Sequence, residues 1–461
     1  MSVHSGRTKF PPTLFSTWSI LIFAATLGGC DEQTVEAPAI SATSAYVISR
    51  SEYAEKMYGF WLGQSIANWT GLVTELDKIG GEGPHGRFYT RDDWGKPDEP
   101  NIFSNGVPSS VSPTIDWVWV DEGGIWGSDD DTDIEYIYQS LLLENETSVL
   151  SGTQIRDGWM THIYSDENTP FTADDGSKQN FLWVSNQRAH DLMRVQGLVP
   201  PATGDPQHNP DFAMIDAQLT TEIFGLFAPG KPHLALEMVH LPIRTTASGD
   251  AALAAEFYVV MHSLAAVVDA DLPVKDQVSW LAEKAREGVP ETSYIAKMYD
   301  YIKGRYEAGV SWEQARDDVY RRYQVEQLDG YDLMSQKLVC NGCFVGGINF
   351  AASIVSLLYG EGDYQETVKI AALSGWDSDN PAATWGGLLG FMHGKRGIEK
   401  AFDRTFANQF DIHRTRGGFP NNGVDTFDAM AEKGLQVIDR VVREEMQGTV
   451  DVEKDQWVIP L

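Results

Sequence analysis

Cysteine is nearly absent. Among 461 residues there are three, Cys30, Cys340 and Cys343. So few exclude a fold framed by disulfides. The pair in "VCNGCF" cannot supply four zinc ligands, and no histidine pair stands near enough in sequence to complete a site. Cys340 and Cys343 are left with two readings, a local disulfide or two small buried thiols. Basic residues are scarce too, 35 against 66 acidic ones, for a formal net charge of −31. A surface of that sign repels phosphate backbones, so no nucleic-acid partner is expected. Period-two alternation is rare, and no unit repeats at a period of roughly 20–50 residues. Both absences turn the reading toward helices.

An apolar run preceded by basic residues stands at the start. Arg7 and Lys9 precede an apolar stretch from Leu14 to Gly29. It has the length of a signal sequence core and is short for a membrane span. It ends in Leu27-Gly28-Gly29-Cys30, which resembles a bacterial lipobox. The expected organisation is a signal peptide over 1–29, a lipid on Cys30, a flexible tether over 30–48 and one large domain over 49–461. That describes an exported, membrane-anchored lipoprotein, periplasmic or on the cell surface, with a monomeric soluble domain.

What is present is helical. "SEYAEKMYGFWLGQSIANWTG" carries apolar residues near helical spacing, and "DIEYIYQSLLLEN" sets Ile134, Ile137, Tyr138, Leu141 and Leu142 on one stripe. "AALAAEFYVVMHSLAAVV", "FVGGINFAASIVSLLYG" and "FDAMAEKGLQVIDRVVREEM" read likewise. The fold class is all-α. Residues 77–128 are rich in Gly, Pro, Asp and Trp and read as long surface loops, the kind that carries function.

Two acidic clusters stand out. Asp129, Asp130, Asp131 and Asp133 precede a helix expected to begin near Ile134; Asp377 and Asp379 precede "PAATWGGLLGFM". One carboxylate at a helix start is ordinary capping, worth about 0.5–2 kcal/mol. Capping does not account for several in a row, because neighbouring carboxylates repel unless a cation lies between them. With Thr132, Ser378 and Asn380 interleaved, every donor is a hard oxygen, which suits Mg²⁺, Mn²⁺ or Ca²⁺ and not zinc. On local sequence alone, a cation site and a solvated acidic loop stand level.

Three motifs resemble the ADP-ribosylglycohydrolase family: "YGFWLGQSIANWTGLVTE" at 58–75, "DDDT" at 129–132 and "GWDSDNPAATWGGLLG" at 375–390. The resemblance runs from about residue 52 to about 395. It implies an orthogonal all-α bundle holding two divalent ions, Mg²⁺ or Mn²⁺, between the acidic motifs. By the same resemblance Asp129, Asp130, Asp131, Asp377, Asp379 and Asn380 are the metal ligands. Asp129 stands where the family carries Thr or Ser, and Asn380 where it carries a hydroxyl or thiol. Glu75, ending the first motif, and Asp131 are the implied proton-handling carboxylates. The implied activity is metal-dependent hydrolysis of an N- or O-glycosidic bond to ribose or a related sugar. The alternatives are an exported glycosidase acting on an environmental oligosaccharide or nucleoside, and a non-catalytic sugar- or nucleotide-binding lipoprotein. Trp376 replaces a family glycine and is expected to bulk up the cleft wall; Pro381 replaces an Asn. Trp69, Trp94, Trp117, Trp119 and Trp126 are either sugar-stacking faces or loop anchors. His85, His190, His240, His262 and His393 lack ligand spacing and read as structural or surface groups.

Overall fold

The computed structural model describes residues 45–104, 106–173, 176–332 and 340–461. The apolar N-terminal run and Cys30 lie outside them. The described residues form fifteen α-helices: α1 Arg50–Gly71, α2 Asp130–Glu144, α3 Gly152–His162, α4 Val184–Gln196, α5 Asp216–Leu219, α6 Ile223–Phe227, α7 Pro232–Ile243, α8 Asp250–Ala265, α9 Val274–Glu287, α10 Tyr294–Glu307, α11 Trp312–Val319, α12 Gly346–Gly360, α13 Tyr364–Leu373, α14 Asp379–Phe402 and α15 Phe427–Glu444. The all-α expectation is met. Among the described residues no helix is long and apolar enough to cross a membrane.

Helices α1 and α14 form the buried spine. Close approach of their backbones requires glycine. A Cβ on Gly63 would lie 2.3 Å from Gly386 O, and one on Gly390 would lie 2.2 Å from Gly59 O. The same closeness persists to the end of α1, where a Cβ on Gly71 would lie 2.4 Å from Asp379 Cα. The glycine-spotted run that follows the second acidic cluster therefore brings the start of α14 against the end of α1.

Among the described residues there are also six short strands: β1 Ala45–Ser49, β2 Ile125–Gly127, β3 Gln409–Asp411, β4 Val424–Thr426, β5 Thr449–Asp451 and β6 Gln456–Pro460. They make two three-stranded sheets, ordered β1-β6-β5 and β2-β3-β4. In the first, Ala45 pairs with Pro460 and Ser49 with Gln456. Residues 45–48, expected to end the tether, are thus strand. Tyr46, Val47 and Ile48 favour extended backbone, and pairing with β6, anchored by the buried Trp457 and Ile459, fixes them there. Ser49 then caps α1, its Oγ accepting from Glu52 N at 3.2 Å.

The connection between α1 and β2 is long and mostly irregular, as the Gly/Pro/Asp/Trp composition suggests, but it is pinned. Leu76 N donates to Trp376 O at 2.8 Å, Trp376 N to Lys78 O at 2.7 Å, and Val118 N to Thr70 Oγ1 at 3.1 Å. The first two bonds hold the loop after α1 against the turn before α14, and the third ties a later part of it back to α1.

Candidate active site

Both acidic clusters open helices. α2 begins at Asp130, four residues before Ile134, because Asp129 and Thr132 cap it. Asp130 N donates to Asp129 Oδ1 at 3.0 Å, and Asp129 N donates to Thr132 Oγ1 at 3.0 Å. α14 begins at Asp379, with Pro381 inside its first turn where no backbone N–H is needed.

The two helix starts meet. Carboxylate oxygens of Asp129, Asp131 and Asp379 all lie within 4.8 Å of one another, as do those of Glu75, Asp377 and Asp379. Asp379 is common to both groups. Asn380 Nδ2 reaches Asp131 Oδ1 at 3.4 Å, and Asn68 Nδ2 donates to Asp131 Oδ2 at 3.2 Å. Asp131, Asp377, Asp379 and Asn380 are buried; Glu75, Asp129 and Asp130 retain partial solvent access. Asp130 belongs to neither group of three. The segments beneath are locked by Ser378 Oγ, which donates to Gly71 O at 3.0 Å and lies 3.1 Å from Thr74 Oγ1.

Burial and mutual repulsion act in the same direction on these acids. Burial raises the Asp131 carboxyl well above the usual range, and Asp379, Asp130, Asp129 and Asp377 push it further. Burial likewise raises Asp377, with Asp379 and Glu75 adding to it, and raises Glu75, with Asp379 and Asp129 adding. Asp379 is pushed up to about 7, by burial first and then by Asp129. Among the described residues no basic side chain forms an ion pair with these carboxylates. Asp379 Oδ1, Asn380 Oδ1 and Asn68 Oδ1 are buried and accept no hydrogen bond. Converging hard oxygens, unpartnered and short of positive charge, are the donor set a divalent cation satisfies. The residues present fit such an ion.

A match to the ADP-ribosylglycohydrolase family model spans residues 49–432. The chain belongs to the ADP-ribosylglycohydrolase family. Membership places it among hydrolases of glycosyl bonds. A solved structure described as an "ADP-ribosylglycohydrolase-related protein complex" resembles it over 85% of this chain and 99% of that one, at 15% identity and a TM-score of 0.46. No curated protein sequence matches the chain.

Some features of this family member were not visible in the sequence. Asn68 lies inside the 58–75 motif, but nothing in its residue type or spacing marks it as reaching Asp131. Asp133, inside the first cluster, turns away: its Oδ2 lies 2.9 Å from Arg416 Nε, both side chains being buried. One turn below the carboxylates, Glu135 and Glu222 form a second buried acidic pair; burial raises both carboxyls, and the charge of Glu222 raises Glu135 further. Gln64 Nε2 donates to Glu135 Oε2 at 2.7 Å, and Thr384 Oγ1 to Glu222 Oε1 at 2.7 Å. Asn68, Asp131 and Asn380 each sit four residues from Gln64, Glu135 and Thr384, so α1, α2 and α14 carry the first layer and these three residues of the second, with Glu222 joining from the start of α6.

Trp376 does not bulk the cleft wall. It is fully buried, with its ring 4.7 Å from that of Phe88. Its φ of +57° is the left-handed conformation that a glycine adopts at no cost, and the ring is turned into the core instead. Trp126 is also fully buried, its Nε1 donating to Ala407 O at 2.9 Å, so it is an anchor. Trp69 Nε1 donates to Gly127 O at 3.0 Å beside the first cluster, and Trp119 is exposed beneath the Arg404 guanidinium. None of the five histidines named above joins either carboxylate group. Cys340 and Cys343 are joined as a disulfide.

Proposed function

We propose that this chain hydrolyses an N- or O-glycosidic bond to ribose or a related sugar, using two divalent cations, Mg²⁺ or Mn²⁺. The observation that carries the reading is the pair of carboxylate groups meeting at Asp379, with buried oxygens that have no other partner. Asp129, Asp131, Asp377 and Asp379 would hold the cations, with Asn380 Oδ1 and Asp130 supplying further oxygens. When bound, such ions polarise a water and grip the two hydroxyls of a vicinal diol.

The chain's own groups account for the rest. Asp131 has both oxygens engaged by Asn68 and Asn380, which fixes its orientation and suits it to holding rather than to carrying a proton. Glu75 keeps solvent access and stands beside Asp377 and Asp379. Its carboxylate takes the proton from the attacking water and returns it to the departing group, as an oxocarbenium-like sugar forms and collapses. The paired Asp377 and Asp379 face that developing positive charge.

The export signal and the lipid on Cys30 remain part of this proposal, and the Cys340–Cys343 disulfide supports them, since such bonds persist in oxidising compartments. The substrate is then a small molecule or glycan outside the cytosol, met by a monomeric domain. Screening ADP-ribosyl substrates against aryl glycosides and nucleosides, each with Mg²⁺ and with EDTA, tests the reading. Turnover that EDTA abolishes supports it. Turnover indifferent to EDTA rejects the cations, and saturable sugar or nucleotide binding without turnover favours a binding module.

A further inference from the structure

We propose that the Cys340–Cys343 disulfide tunes the cation affinity of the site through Asn349, a positioning residue for Asp377. The cation part of this inference rests on the proposed function; the positioning part does not.

Asn349 is fully buried in the first turn of α12. Its Nδ2 donates to Cys343 O at 2.7 Å and to Val345 O at 3.1 Å, while its Oδ1 accepts from Asp377 N at 3.3 Å. One amide side chain thus joins the disulfide loop to the backbone of a site carboxylate. On the far side the chain is fixed, Ile215 N donating to Phe344 O and Gly346 N to Ala213 O, both at 3.0 Å. The Cys343 carbonyl, within the disulfide loop, is the point where Asn349 takes hold.

Cys340 has a φ of +55°, a left-handed conformation unfavourable for an L-residue. The cross-link holds it there. Cys340 is partly exposed and Cys343 fully buried, so a dithiol attacks Cys340 Sγ. The S–S bond breaks, Cys343 leaves as a thiolate and takes a proton, and the second thiol of the reductant displaces Cys340. The reductant ends as its own disulfide, and two electrons have passed to the pair. The separated sulfurs then need about 3.5–4.0 Å of non-bonded distance, and Cys340 is free to leave its left-handed conformation. Both changes pull on the Cys343 carbonyl and loosen Asn349 from Asp377. Linkage is reciprocal, so a cation that binds the oxidised form more tightly makes the disulfide harder to reduce by the same factor.

The test uses the oxidised protein, the protein reduced with dithiothreitol and desalted without air, and the variants Asn349→Ala and Cys340→Ser/Cys343→Ser. Mn²⁺ affinity is measured by electron paramagnetic resonance, and amide exchange of residues 374–380 by mass spectrometry without metal. The expected result is about tenfold weaker Mn²⁺ binding and faster exchange after reduction. The serine variant should match the reduced protein and ignore the reductant, and Asn349→Ala should bind weakly in both states. Saturating Mn²⁺ should lower the disulfide's midpoint potential by about 30 mV, the equivalent of tenfold for a two-electron couple. Equal Mn²⁺ affinity in the two redox states overturns the proposal, whatever exchange shows. If no Mn²⁺ binds in either state, the cation reading fails by itself; exchange that still changes on reduction then leaves Asn349's positioning role standing, and unchanged exchange removes that too.

Discussion

Asn380 Nδ2 lies 3.4 Å from Asp131 Oδ1, although 249 residues separate them in the chain. This contact closes the site, because it joins the first turn of α14 to the first turn of α2. Asn68, at the end of α1, grips the other oxygen of Asp131. Three helix termini thus meet at one carboxylate, and the acids around it are crowded beyond what capping explains.

Crowding without a counter-charge costs stability. Two unit charges 4 Å apart repel by about 4 kcal/mol at an effective dielectric constant of 20. Asp379→Asn is therefore expected to raise the melting temperature in EDTA at pH 8. Mn²⁺ at a hundred times its dissociation constant should stabilise the unaltered protein by about 2.7 kcal/mol, and the variant by a small fraction of that. Thermal melts with and without Mn²⁺ check both, and hydrolysis by the variant should fall at least a hundredfold.

Spine packing gives a second expectation. Gly63→Ala drives a methyl group into Gly386 O, which is backbone and cannot swing aside. Overpacking of this kind costs typically 1–3 kcal/mol. Because α1 and α14 carry Asn68 and Asp379 respectively, the same change should weaken Mn²⁺ binding. Urea denaturation and a metal titration on one sample would separate the two effects.

Much of this was legible in the sequence, and the reasons differ by residue. The acidic clusters announced themselves because adjacent carboxylates before an apolar run are expensive without a purpose. The helices were legible from their stripes. The tether boundary was not, because Ala45–Ser49 becomes a strand only through its distant partner Gln456–Pro460. Trp376 misled because side-chain size says nothing of direction; its positive φ turns the ring inward. Asn68, Asn349 and Glu222 were invisible because a single buried amide or acid has no period, and its partner lies far along the chain.

The deeper acidic pair predicts a pH dependence of its own. Burial raises Glu222 from an ordinary value of 4.5 to about 7 and raises Glu135 as well. The unfolded chain therefore releases these protons at lower pH than the folded one. Their contribution is fully present below about pH 4.5 and is lost as pH rises through 7, a change on the order of 3 kcal/mol for Glu222. Glu222→Gln should flatten this part of the stability profile between pH 5 and 8, measured by urea midpoints in EDTA.

Arg416 is expected to behave oppositely to a surface arginine. Its removal strands Asp133 in the core, so Arg416→Met should cost about 3–5 kcal/mol at pH 8. Burial already pushes Asp133 up to about 7 with the arginine in place. Without it the carboxyl holds its proton more firmly still, so the cost should shrink at pH 5. Comparing the variant's denaturation midpoints at the two pH values decides it.

The most direct test of the central claim is a crystal of this protein soaked in Mn²⁺ and measured for anomalous scattering. The account predicts peaks bonded to oxygens of Asp129, Asp131, Asp377 and Asp379, with Asp379 touching the ions on both sides. Density showing these carboxylates without any such peak at saturating Mn²⁺ would contradict it.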